Sequence, residues 1–188
     1  MRLVIAAGLA GAFLLGRGRP EGMALVESTP AGAWRSFAAA AICLPAFLAL
    51  RVFGWAAAGP PAGGLSRPLA AEMIGYALGW VIFALASLPV AQSFGRGAAW
   101  PRFIAAWNWT TVVQYLLWLA LAVPVAFGGS GMVVQGLTLA GFGYAMWLEW
   151  FVVRTALGLP GPRAAGLVVL DLAIGLFLAG LVQRLSIG

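Results

Sequence analysis

The sequence predicts an all-α polytopic transmembrane helix bundle, with five spans plus a short N-terminal interfacial or re-entrant helix. Three observations predict it. Of the 188 residues, 63% are hydrophobic and 9% charged, whereas soluble domains carry roughly 25% charged residues. A soluble chain of this size could not cover such a composition with polar surface, so lipid is the solvent for most of it. Five apolar stretches come close to or exceed the ~20 residues that a spanning helix needs, and proline, glycine and arginine mark the connectors between them.

Residues 3–16 form an apolar run between Arg2 and Arg17. As a helix this run is about 21 Å long, short of the ~30 Å hydrocarbon core. A signal-peptide core fits that length, and Ala31-Gly32-Ala33 looks like a cleavage site, but Arg17, Arg19 and Glu21 are misplaced for one. A short tilted span is the other alternative. An interfacial or re-entrant helix is the expectation, with residues 1–33 as an N-terminal segment. Pro20, Gly22, Pro30 and Gly32 interrupt helix there, and Trp34-Arg35 anchors the chain at the membrane surface.

The spans follow at about 36–58, 68–93, 103–127, 132–158 and 164–181, in one integral membrane domain covering 1–188. Pro45, Pro89 and Pro124 are expected to bend the first, second and third of them. Gly59 to Gly64, with two prolines, is a stiff loop, and Gly128-Gly129-Ser130-Gly131 is a tight uncharged turn. Pro101 suits the first turn of the third span, where its missing N–H had no partner in any case.

The eleven basic residues are all arginines. Across alternate loops, Arg2, Arg17, Arg19, Arg35, Arg96, Arg102, Arg154 and Arg163 fall on one side, and Arg51, Arg67 and Arg184 on the other. This predicts an N terminus in the cytoplasm and a C terminus outside, in a membrane of the bacterial inner (cytoplasmic) type. Arg96, Arg102, Arg154 and Arg163 form the cytoplasmic rim. The arginines are scattered singly at span ends, which fits lipid headgroups as partners and not nucleic acid.

With no His and a single Cys, Cys43, the chain lacks an intrachain disulfide, a Cys/His zinc site and the usual axial ligand of haem. Without lysine there is no retinal-type Schiff base. No glycine-rich phosphate loop and no G-x-S-x-G occurs. The expectation is a protein that is not an enzyme, with no cofactor and no metal.

Polar residues inside the spans are the candidate site. Asn108 lies about 8 Å into the third span, Asp171 about 10 Å into the fifth and Glu149 about 13 Å from the end of the fourth, with Gln114 deeper. Antiparallel neighbours could bring Asn108, Gln114, Glu149 and Asp171 into one intramembrane cluster. Glu149 and Arg154 are five apart, so they face about 140° away from each other and Glu149 needs another partner, such as Asn108, the Trp107 N–H or Asp171. Such groups either hold helices together near the interface or form a proton or cation relay or a headgroup pocket. At one or two turns from the surface, the first is the expectation. Arg51 is expected to snorkel outward, and Glu72 to serve the start of its helix.

Trp34, Trp100, Trp107, Trp147 and Trp150 suit an interfacial belt on the cytoplasmic side, with Trp55 on the outer side and Trp80, Trp109 and Trp118 deeper as packing residues. Gly75 with Gly79, and Gly136 with Ala140 and Tyr144, give small-residue faces suited to close helix contact within the chain or with a partner.

Arg19–Leu25 (R-P-E-G-M-A-L), Trp34–Phe37 (W-R-S-F) ahead of the first span, and Phe103–Gln114 (F-I-A-A-W-N-W-T-T-V-V-Q) together resemble the bacterial branch of the Yip family, five-span relatives of Rab-interacting membrane proteins. The resemblance implies five helices, a cytoplasmic N terminus and no catalysis. The eukaryotic D-L-Y-G-P signature is absent, so it carries no GTPase-linked role. Two functions are expected: a scaffold or accessory subunit of a larger membrane complex, or self-associating module, for which the minimal loops argue; and, as the alternative, a small transporter or proton-linked channel using the carboxylate and amide cluster.

Overall fold

A computed structural model describes residues 2–59, 61 and 64–187. Pro60, Ala62 and Gly63 of the loop after the first span lie outside them. Among the described residues there are seven α-helices and no strand: α1 (Arg2–Gly16), α2 (Pro30–Ser36), α3 (Ala38–Ala58), α4 (Ser66–Ser93), α5 (Trp100–Ala126), α6 (Met132–Leu157) and α7 (Gly161–Ile187). Five helical stretches, α2–α3 counted as one, are long and apolar enough to cross a membrane. The chain is an integral membrane protein built as a helix bundle.

Local chemistry explains the helix ends. Thr29 caps α2 by accepting from the Gly32 N–H at 3.0 Å, and Pro30 opens that helix. Pro101 occupies the first turn of α5. Gly158, with φ +61°, ends α6 in the left-handed conformation that a side chain disfavours. Pro45, Pro89 and Pro124 all lie inside their helices.

α1 does not cross the bundle. Gly8 lies against the Trp109 ring and Gly16 against Val113, positions about 13 and 20 Å along α5 from its Trp100 end. Eight residues of α1 rise about 12 Å while the contact on α5 advances about 6 Å, so α1 is steeply inclined to its neighbour. The chain turns at Arg17–Arg19 and a 3-10 turn over Pro20–Leu25 packs back on α1, with Gly11 touching Gly22. Tyr144 of α6 donates to the Gly16 carbonyl at 2.6 Å, and Arg35 pairs with Glu27 at 2.6 Å to tie the hairpin to α2.

The packing is uneven along the bundle. The half near the connectors at 94–99 and 158–160, the Arg-rich end, holds the apolar core: Phe83, Phe103, Ile104, Leu148, Val152 and Leu167 are buried there. Toward the opposite end α6 loosens, and residues 135–140 are all exposed. A cavity fills the space that α3, α4, α5, α6 and α7 leave between them.

Candidate functional site

The cavity has a volume of about 1190 Å³, at or above the upper end of the ~300–1,000 Å³ usual for ligand pockets. Each wall is one stripe at helical spacing. α5 contributes Trp107, Thr111, Gln114, Tyr115 and Trp118, at i, i+4, i+7, i+8 and i+11; α4 contributes Glu72, Gly75, Tyr76, Gly79 and Trp80. α7 presents Asp171, Ile174, Gly175, Leu178 and Val182. The glycines bring helices together: a Cβ on Gly75 would collide with Val182, so α4 and α7 approach closely there. Trp55, Pro61 and Ser186 line the far end, where the helices stop, and the apolar core closes the Arg-rich end.

Its base is polar. The Gln114 side-chain amide donates to Glu149 Oε1 at 3.1 Å and to the Ala145 carbonyl at 3.3 Å. Glu149 is buried, with 8% of its surface exposed, and its Oε2 has no hydrogen-bond partner among the described residues. Asp171 on α7 lines the same cavity, near enough to Glu149 for each carboxyl to feel the other's charge. Two carboxyl groups meet favourably when a proton or a cation lies between them.

Its mouth is charged and internally balanced. Arg51 Nη1 lies 3.3 Å from Glu72 Oε1, and the guanidinium sits 5.3 Å from the centroid of the Phe47 ring. Arg51 therefore pairs across helices instead of snorkelling alone. Glu72 is at the end of the second turn of α4, which begins at Ser66, so its partner is Arg51 and not the helix terminus.

The structure brings Gln114, Glu149 and Asp171 together and leaves Asn108 apart. Six residues separate Asn108 from Gln114, which turns their side chains about 120° from each other on α5. Asn108 is fully buried and donates to Ser36 Oγ at 2.7 Å, while Ser36 donates to the Ala33 carbonyl at 2.6 Å. Asn108 thus fixes α2 to α5 and takes no part in the cavity. Trp107 also departs from the interfacial belt: it is buried, with ring centroids 4.7 Å from Phe83 and 6.0 Å from Trp80. Trp34, 80% exposed, does lie on the surface.

The rim arginines are spread over the Arg-rich end. Arg96 donates to the Gly158 carbonyl at 3.4 Å and so joins the connector after α4 to the connector after α6, while Arg163 in the first turn of α7 lies over Phe94 of the first connector, 5.3 Å from the ring centroid. Arg154 lies 5.2 Å from the Trp150 ring centroid, and Arg102 is exposed. None of the four lines the cavity.

The sequence marks Thr111 and Tyr115 as polar residues of the same stretch as Asn108 and Gln114, but it does not point to Tyr76 or to the Arg51–Glu72 pair. The i, i+4, i+7 spacing from Trp107 to Trp118 was the available signal, since it places Thr111, Gln114 and Tyr115 on one face and Asn108 off it. The fold and the site define a helical integral membrane protein with an aromatic cavity founded on two carboxyls. No family model, curated protein or solved structure matches the chain.

Proposed function

We propose that this protein is a small, non-enzymatic membrane carrier, proton-linked or cation-linked, whose ligand site is the Gln114–Glu149–Asp171 base of the cavity. One observation carries the reading: Glu149 is buried with Oε2 lacking a donor, beside a second carboxyl, at the floor of a space large enough for a ligand. Carboxyls at membrane depth are costly where they serve packing alone, and one facing a cavity is a functional group by default. The Arg51–Glu72 pair stands at the entrance from the opposite end. The arginine distribution supports a bacterial inner membrane orientation with the N terminus in the cytoplasm, so the cavity opens outward. The experiment is neutralisation of both carboxyls, Glu149→Gln with Asp171→Asn, scored as pH-driven flux in liposomes.

A second reading has its own observation. Gly136 has open space where a side chain would stand, and Leu139 is 72% exposed on the same half of α6. That face suits close approach by another helix, as an accessory subunit or scaffold of a larger complex would use it, or a second copy of the chain. The Yip-family resemblance, with its non-catalytic five-span members, is compatible with both readings.

A further inference from the structure

Resting on the cavity as a ligand site, we propose that its ligand is a lipophilic organic cation: an ammonium or similar onium group on an apolar body. The head would be held by Glu149 and Asp171, and the body would lie against the aromatic wall.

Charge gives the first argument. Among the described residues, Arg51 is the one cation lining the cavity, and it is already engaged by Glu72 and the Phe47 ring at the mouth. The base has two carboxyls and no arginine, and Glu149 Oε2 is left without a donor. At the mouth a carboxylate is satisfied by the chain's own guanidinium; the base presents two carboxyls without a cation. An anion would meet two carboxyls there, and a wholly apolar ligand would leave Oε2 unsatisfied.

The walls give the second. Phe47 and Tyr76 are 4.5 Å apart between ring centroids, Tyr76 and Trp80 6.1 Å, Trp80 and Trp107 6.0 Å, and Tyr76 and Tyr115 6.4 Å. This is a continuous aromatic surface, whose ring faces attract a cation. Ile174, Leu178 and Val182 of α7 supply apolar lining. A hard metal ion asks for about six to eight oxygen ligands, whereas this base offers two carboxyls and an amide already turned to donate. At about 1190 Å³, the space accommodates a bulky organic body instead.

The test uses two probes of like shape and opposite charge, tetraphenylphosphonium and tetraphenylborate, titrated calorimetrically into the purified full chain in detergent. Saturable binding of the phosphonium, with none of the borate, is expected in wild type. The Glu149→Gln, Asp171→Asn pair should weaken phosphonium binding at least tenfold, and Asp171→Asn alone by a smaller factor; gel-filtration profile and melting temperature check that each variant is folded. Equal binding of both probes, or phosphonium binding unchanged by the double variant, would overturn the proposal. Wild type that takes up protons through Glu149 yet binds no phosphonium overturns the cation class and leaves the carrier reading standing. Phosphonium binding that depends on the carboxyls, without any flux, supports the ligand class and removes transport.

Discussion

Gln114 on α5 donates its side-chain amide to Glu149 on α6 at 3.1 Å, and that bond occupies one oxygen of a carboxylate whose other oxygen has no donor among the described residues. The same amide reaches the Ala145 carbonyl at 3.3 Å. Gln114 therefore positions Glu149 at the cavity base and joins two spans.

Replacing Gln114 with Leu removes a donor to a buried carboxyl and is expected to destabilise the fold by about 1–3 kcal/mol. The loss should shrink when Glu149 is already Gln, because the carboxyl that accepts this bond is gone. Thermal unfolding of the two single variants and the double variant in one detergent measures this. Strict additivity would show that the bond has no energetic weight.

Arg51 and Glu72 are bound differently. The Arg51 side chain is 46% exposed and Glu72 16% exposed, so water screens the pair. A double-mutant cycle over Arg51→Ala and Glu72→Ala should return a coupling of about 1 kcal/mol or less. A coupling of several kcal/mol would mean that the mouth excludes water and is closed.

Two glycines separate internal from external helix faces. Gly75→Leu must displace Val182 and push α4 from α7, and is expected to cost about 1–3 kcal/mol of stability. Gly136→Leu meets open space and should change stability by no more than about 0.5 kcal/mol. If Gly136→Leu instead strips a stoichiometric partner or a second copy during gentle extraction, as read by native mass spectrometry, the accessory-subunit reading gains over the carrier.

Orientation is open to direct measurement. Reporter fusions in a bacterial host should place the C terminus, after Arg184, outside the cytoplasm and the connector containing Arg96 inside. A cytoplasmic C terminus would invert the bundle and turn the cavity mouth inward.

The spans were legible because lipid demands length and apolarity, and glycine, proline and arginine punctuate them: the predicted span at 132–158 matches α6 at Met132–Leu157. The fifth span begins three residues earlier than the apolar run, at Gly161, because Pro162 and Arg163 fit a first helical turn. Gln114, Glu149 and Asp171 were legible as costly residues in apolar helices, and depth along each helix placed Asn108, Glu149 and Asp171 at similar levels with Gln114 deeper. Depth does not give azimuth. Asn108 shared that level but faces α2, a fact set by the Ser36 hydroxyl 72 residues away. The hairpin of α1 was equally hidden, since Gly11 against Gly22 and Gly8 against Trp109 are fits of shape without a local pattern.

The central claim is that the Glu149–Asp171 base carries a proton or cation linked to transport. Proton entry into sealed liposomes containing the purified protein, read with a trapped pH-sensitive dye under a valinomycin-set potential, tests it most directly. The account predicts entry above that of empty liposomes for wild type, and a fall to the empty-liposome rate for folded Glu149→Gln, Asp171→Asn protein. Wild-type entry no faster than empty liposomes, or entry untouched by the double substitution, would contradict it.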